Sequence, residues 1–215
     1  MRIGVVIQKH PSRSIAHLSE TVLAVDDLAT VVEDTEPETK ASWPTAARAW
    51  LAAREDATHV LFLEDDAVPC QHFAEAIVKA VEARPEHCVA FWANRAQVGW
   101  ALAEGKSWVW CGAGFHGTVA VLLPAESVRP FVRWGDERYD PTIPGGHDQR
   151  LREWLAHYKS RVLLSAPCLV QHGAPEASLI WPGKGRMFGR PRVTPYFADD
   201  LGIDAREIDW RAGDG

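Results

Sequence analysis

A chain of 215 residues, 47% hydrophobic and 24% charged, has the composition of one globular domain, which excludes a disordered, collagen-like or fibrous protein. Lys and Arg number 23 against 29 Asp and Glu, a formal charge of −6, which argues against general electrostatic wrapping of nucleic acid or of an anionic membrane. The four cysteines, Cys70, Cys88, Cys111 and Cys168, form no C-x-x-C pair and are expected as reduced thiols, and the first apolar run, Ile3 to Ile7, is too short for a leader or a span. A cytoplasmic protein with no membrane span is the expectation.

Ile3 to Ile7 is a β-branched run that reads as a buried parallel strand, and Gln8-Lys9-His10-Pro11 takes it into a loop. Ser14 suits the cap of a helix carrying Ile15, Leu18, Val22 and Val25 on one face, and Ala29 to Glu33 offers a second strand. The polar stretch 34–40 is a loop broken by Pro37, and Pro44 opens a helix through Arg54. His59-Val60-Leu61-Phe62-Leu63 is the strongest strand, and it stops at Glu64-Asp65-Asp66. A helix over Phe73, Ile77, Val78 and Val81 and a strand from Cys88 to Trp92 continue the alternation. Further strands are expected at Trp108–Trp110, Thr118–Leu123 and Val162–Leu164, with a glycine-rich turn at Gly112-Ala113-Gly114 and a helix over Asp148–His157; beyond Gln171 the chain reads as loop. The fold class is therefore α/β, an open mixed sheet flanked by helices, with ligands at the carboxyl ends of its strands.

Three acids at the end of a buried strand are costly unless water, hydrogen bonds or a cation compensates them, because like charges in contact oppose one another's ionisation. Hard oxygen ligands suit Mg²⁺ or Mn²⁺, ions that keep open positions for the oxygens of a phosphorylated substrate. The same spacing also fits a solvated acidic turn, and the residues alone leave both readings standing.

The segment from His59 to Pro69, an apolar strand followed by Glu64-Asp65-Asp66, resembles the D-x-D variant of the GT-A nucleotide-sugar-dependent glycosyltransferases, in the style of families 2 and 25. The resemblance implies a single-domain GT-A-like fold over residues 1–180 and a nucleotide-sugar donor with Mn²⁺ or Mg²⁺. It places Asp66 as a metal ligand, Glu64 and Asp65 on the donor, and Gln8 and Asp34 at the strand ends of the nucleoside pocket. Asp34 serves equally as a loop cap. Gly146-His147-Asp148 resembles the acidic motif whose Asp is the catalytic base of inverting members, although Asp148 at a helix start also fits a cap. Pro167 to Gly173 resembles the late segment whose His completes the metal shell, which implies His172 as a ligand; a lone His is otherwise commonly structural.

Residues 181–215 read as a basic and aromatic tail: Lys184, Arg186, Arg190 and Arg192 lie in an acid-free stretch with Trp181, Phe188, Tyr196 and Phe197. A lid with Lys184 and Arg186 on the diphosphate, a grip on a polyanionic acceptor, and a solvated tail are the alternatives. Trp100, Trp108 and Trp110 are the candidates for a platform for sugar or acceptor, since apolar ring faces stack on sugars, with core packing expected of at least one of them; Trp108 and Trp110 are the two taken as acceptor residues. The acceptor defaults to a saccharide or glycan hydroxyl, with a hydroxymethylated base in DNA as the minority option. Two rivals are a metal-dependent phosphotransferase or nuclease and a non-catalytic nucleotide-binding module.

Overall fold

The computed structural model describes residues 1–39, 41–112, 115–141, 147–173, 186–187, 190–191 and 193–213. A seven-stranded mixed sheet organises them. It comprises β1 (Ile3–Lys9), β2 (Thr30–Glu33), β3 (His59–Glu64), β5 (Cys88–Ala90), β6 (Trp108–Cys111), β7 (Ala120–Pro124) and β8 (Val162–Ser165), in the order β2-β1-β3-β7-β5-β8-β6. β1 lies parallel to β2 and β3, while β7 and β6 run antiparallel to their neighbours. β5 and β8 run parallel to each other. The chain is α/β, as its alternation of elements implies.

The central strands read as unbroken apolar runs because both faces of the sheet are covered, and alternate side chains enter two separate cores. Val5, Ile7, Leu61 and Leu63 face α1 (Ala16–Val25) and α3 (Phe73–Ala83) through Leu18, Val22, Phe73 and Ile77. Val6, Val60 and Phe62 face the other layer, α2 (Trp43–Leu51), α4 (Ala96–Ala103), α5 (Ala125–Arg138) and α6 (His147–His157). There Trp50 stacks on Phe62 at 4.8 Å and meets Phe131 edge-on. All four cysteines are free thiols; burial pushes Cys168 up to about 11 and Cys70 up to about 12.

The expected strands and helices are present, with boundaries moved by a few residues, and the turn expected at Gly112-Ala113-Gly114 lies largely outside the described residues. α1 starts after Ser14: Ile15 takes the cap position, and Ser14 Oγ accepts the Ala16 N–H instead. The sequence reading gives no element over α5, whose interior holds Pro130, nor over α4. It also gives none at β4 (Ala67–Pro69), which pairs antiparallel with β9 (Val170–His172) in a ribbon outside the main sheet. Two short strands, β10 (Arg186–Met187) and β11 (Arg190–Pro191), pair in the later chain.

Residues 193–213 pack into the same core as α1 and α3 through Phe197, Ala198, Ala205 and Trp210. Asp199 accepts the Gln71 N–H at the start of α3, and Lys79 donates to the Arg206 carbonyl. Trp210 lies 5.0 Å from Trp108, ring to ring, and its carbonyl accepts the Trp108 indole N–H. Trp210→Ala is therefore expected to cost about 3–5 kcal/mol, the range for truncating a large buried aromatic. Urea unfolding followed by circular dichroism checks it; a loss below about 1 kcal/mol would place residue 210 outside the cooperative core.

Candidate metal centre

β3 carries its apolar run into the middle of the sheet, so the residues that follow emerge at the carboxyl edge between β1 and β7. Glu64 is the last residue of the strand and opposes Gln8 of β1. The next two acids turn the chain into β4, and the β4–β9 pairing sets Ala67 opposite His172. The Gly173 N–H donates to the Asp66 carbonyl at 2.7 Å, and a Cβ at Gly173 would lie 2.6 Å from the Val68 side chain. The ribbon thereby fixes His172 beside Asp66 although 106 positions separate them in the chain.

One ligand atom each from Glu64, Asp66 and His172 lies within 4.8 Å of the others. Thr118 Oγ1 donates to Glu64 Oε1 at 2.9 Å. Arg13, from the loop after β1, donates through Nη1 to Asp65 Oδ1 at 2.6 Å and to Asp66 Oδ2 at 2.7 Å. His172 Nε2 lies 3.6 Å from that same Asp66 Oδ2. Asp66 is only 6% exposed, and its Oδ1 is buried with no hydrogen-bond partner. A buried carboxylate oxygen without a donor is costly, and the set of two carboxylates and one imidazole is one that could hold a metal ion. Burial works against the charge of Arg13, but Asp66 and Asp65 beside it outweigh that cost and raise its pKa.

Asp65 plays a different part from the expected one. Its Oδ1 takes Arg13 and its Oδ2 accepts the His10 N–H at 2.6 Å, so it fastens the loop after β1 to the end of β3. Asp34 Oδ1 accepts from the Glu36 N–H and the Thr45 hydroxyl, the loop-capping alternative. Gln8 donates its side-chain N–H to the Ser42 carbonyl at the start of α2. The expected Trp platform is corrected: β6 is the far edge strand, four strands from β3, roughly 19 Å at normal strand spacing. Trp108 is a buried core residue, and Trp110 packs beside His87. Among the described residues, the tryptophan that meets the cluster is Trp92, whose ring lies 5.9 Å from that of His172. Gly117 closes on Trp92: its φ is +112°, and a Cβ there would stand 2.2 Å from the ring, so only glycine fits.

α6 begins beside the same edge, because His147 packs on Phe62, two residues before Glu64, with rings 4.5 Å apart. Asp148 lies in the first helical turn, where its carboxylate accepts the Gln149 N–H, and its charge acts on His116. His116 in turn lies within 3.4 Å of Arg152. Asp148 thus acts on the segment His116-Gly117-Thr118, whose Thr118 holds Glu64. Lys184 lies outside the described residues, and of Arg186 the backbone alone is described. Arg13, Thr118 and Trp92 carry no motif signal; they are recognised only once the strands are laid side by side.

No helix among the described residues is long and apolar enough to cross a membrane. No family model matches the sequence, and no curated protein matches it. A solved structure titled "Crystal Structure of A197 from STIV" is similar at 15% identity, covering 80% of this chain and 85% of that chain, with a TM-score of 0.43.

His147 generates a pH prediction. Burial, aided by the nearby Arg150 charge, pushes its pKa from 6.5 down to about 3. A histidine kept neutral in the fold contributes its full stability above its unfolded pKa and loses it as pH falls toward the folded value. Acidification from pH 7 to pH 5 is then expected to remove about 2 kcal/mol of unfolding free energy through this group. Urea titrations at the two pH values should show that loss in the wild type and a clearly smaller one in His147→Leu. Equal losses would exclude His147 as the source.

Proposed function

We propose that the protein is a metal-dependent glycosyltransferase of GT-A type that moves a sugar from a nucleotide-diphosphate donor to an acceptor hydroxyl, with a saccharide or glycan as the default acceptor. The observation that carries the reading is the buried, unpartnered Asp66 Oδ1 beside Glu64 and His172 at the carboxyl end of the central strand. Those three residues would hold Mn²⁺ or Mg²⁺. When bound, the cation supplies neutralisation of the charge that develops on a diphosphate leaving group.

The chain's own groups have distinct tasks. Thr118 orients Glu64, and Arg13 with the His10 N–H orients Asp65 and Asp66. The Trp92 ring and the ribbon hold His172 in place, while Gln8 and Asp34 tie the loops around the nucleoside end. Asp148, in the first turn of α6, is the base that takes the acceptor proton in an inverting reaction. A retaining reaction would not need it. The phosphotransferase or nuclease alternative is less well supported, since two-metal chemistry needs a second ligand cluster and Glu64, Asp66 and His172 are the one such group among the described residues. A glycan acceptor suits the formal charge of −6 better than DNA does.

The test is release of free sugar from a panel of nucleotide sugars in the presence and absence of Mn²⁺. Metal-dependent hydrolysis of at least one donor is expected, and no turnover of any donor would remove the reading. Asp66→Asn should abolish it with the circular dichroism spectrum intact. Once an acceptor is found, Asp148→Asn should lower transfer by roughly 10²–10⁴ with donor affinity near that of the wild type. Undiminished transfer would point to a retaining mechanism or another base.

A further inference from the structure

The acid cluster is already engaged by a cation, and that cation belongs to the chain. A single nitrogen of Arg13 bridges Asp65 Oδ1 at 2.6 Å and Asp66 Oδ2 at 2.7 Å. Asp66 is also the central member of the Glu64, Asp66, His172 group, with Oδ1 buried and unpartnered while Oδ2 faces Arg13 and His172. A dication ligated by Asp66 must share one carboxylate with a guanidinium. The Arg13 side chain is 21% exposed and the two aspartates 7% and 6%, so solvent screens this repulsion only partly.

We infer that Arg13 is a built-in counter-ion which competes with the divalent cation for Asp66 and keeps the site weak for a cation arriving alone. The inference rests on the reading of Glu64, Asp66 and His172 as a metal site and adds its regulation. Asp66 Oδ1, buried without a partner beside Glu64 and His172, leaves a position that a dication can fill. Filling it brings two positive centres onto one aspartate. An anion with several negative charges offers Arg13 a replacement partner, so cation and phosphorylated ligand should bind with positive coupling, each raising the other's affinity by the same factor. Arg13 would thus favour loading the site with the cation and its anionic ligand together.

The experiment is calorimetric titration of the full chain with Mn²⁺ alone, near neutral pH, in the wild type, Arg13→Gln and Arg13→Lys. Removing the charge should tighten Mn²⁺ binding by at least about tenfold, whereas Arg13→Lys, which keeps the charge, should remain within about threefold of the wild type. Equal or weaker binding by a folded Arg13→Gln protein overturns the inference and leaves the metal reading in place. Absence of Mn²⁺ binding in all three proteins overturns the metal reading, and the inference with it. Since Arg13→Gln leaves two buried aspartates uncompensated and risks misfolding, a second measurement uses the wild type. Titration with diamagnetic Mg²⁺ is followed by the side-chain nitrogen signals of Arg13, assigned by their loss in Arg13→Lys. Competition predicts that these signals shift as the site fills; signals unmoved at saturation overturn it.

Discussion

Three carboxylates in succession at the end of a buried strand form the constraint around which the sheet edge is arranged. β3 is enclosed on both faces, so the acids that follow it enter space already bounded by protein. Each is engaged: Glu64 by the Thr118 hydroxyl, Asp65 by the His10 N–H and Arg13, and Asp66 by the same Arg13 and by His172. Those partners come from the loop after β1, the approach to β7 and the β4–β9 ribbon. The charges therefore act as long-range fasteners, since misplacing any of these segments leaves a carboxylate uncompensated.

The elements that surround the site were legible to different degrees, for physical reasons. β1, β3 and α3 follow from periodicity because each buries a continuous run or a single stripe. The Asp66–His172 pairing was reached through motif resemblance, not from spacing, since no local rule links positions so far apart. β4 and β9 give no sequence signal because three-residue strands held by one ribbon have no period to detect. Pro130 interrupts the pattern of α5 and hides it from periodicity; the helix persists because Phe131 and Trp134 bury against the layer containing Trp43 and Trp50. Here tertiary packing outweighs the local preference.

The tryptophans show where side-chain chemistry alone misleads. Ring faces that suit stacking on sugars make Trp108 and Trp110 candidates for a platform. Strand order decides otherwise, because β6 closes the far edge of the sheet and Trp108 is spent on Trp210. The same order brings Trp92, at the end of β5, over to His172. Sequence distance from an acidic motif is a poor guide to spatial distance in a mixed sheet, where consecutive strands need not be neighbours.

The end of the chain has a mechanical relation to the acid cluster. Gln171 Oε1 accepts from both the Thr194 N–H and the His172 N–H, while its Nε2 donates to the Thr194 carbonyl. Two residues on, Gly173 is tied to Asp66. Backbone bonds between Cys168 and both Tyr196 and Ala198 continue the attachment. Gly173 and Thr194 are thus both anchored beside β9, and the sequence between those anchors contains Lys184, Arg186, Arg190 and Arg192. Both anchors depend on β9, so a perturbation of His172 bears on the points from which that span departs and to which it returns. Conversely, the packing of Phe197 and Trp210 into the core resists withdrawal of Thr194 from Gln171, and with it disturbance of the backbone that carries His172. The geometry of the Glu64, Asp66 and His172 cluster is therefore supported by Arg13 from the loop after β1 and by the core packing of residues 193–213.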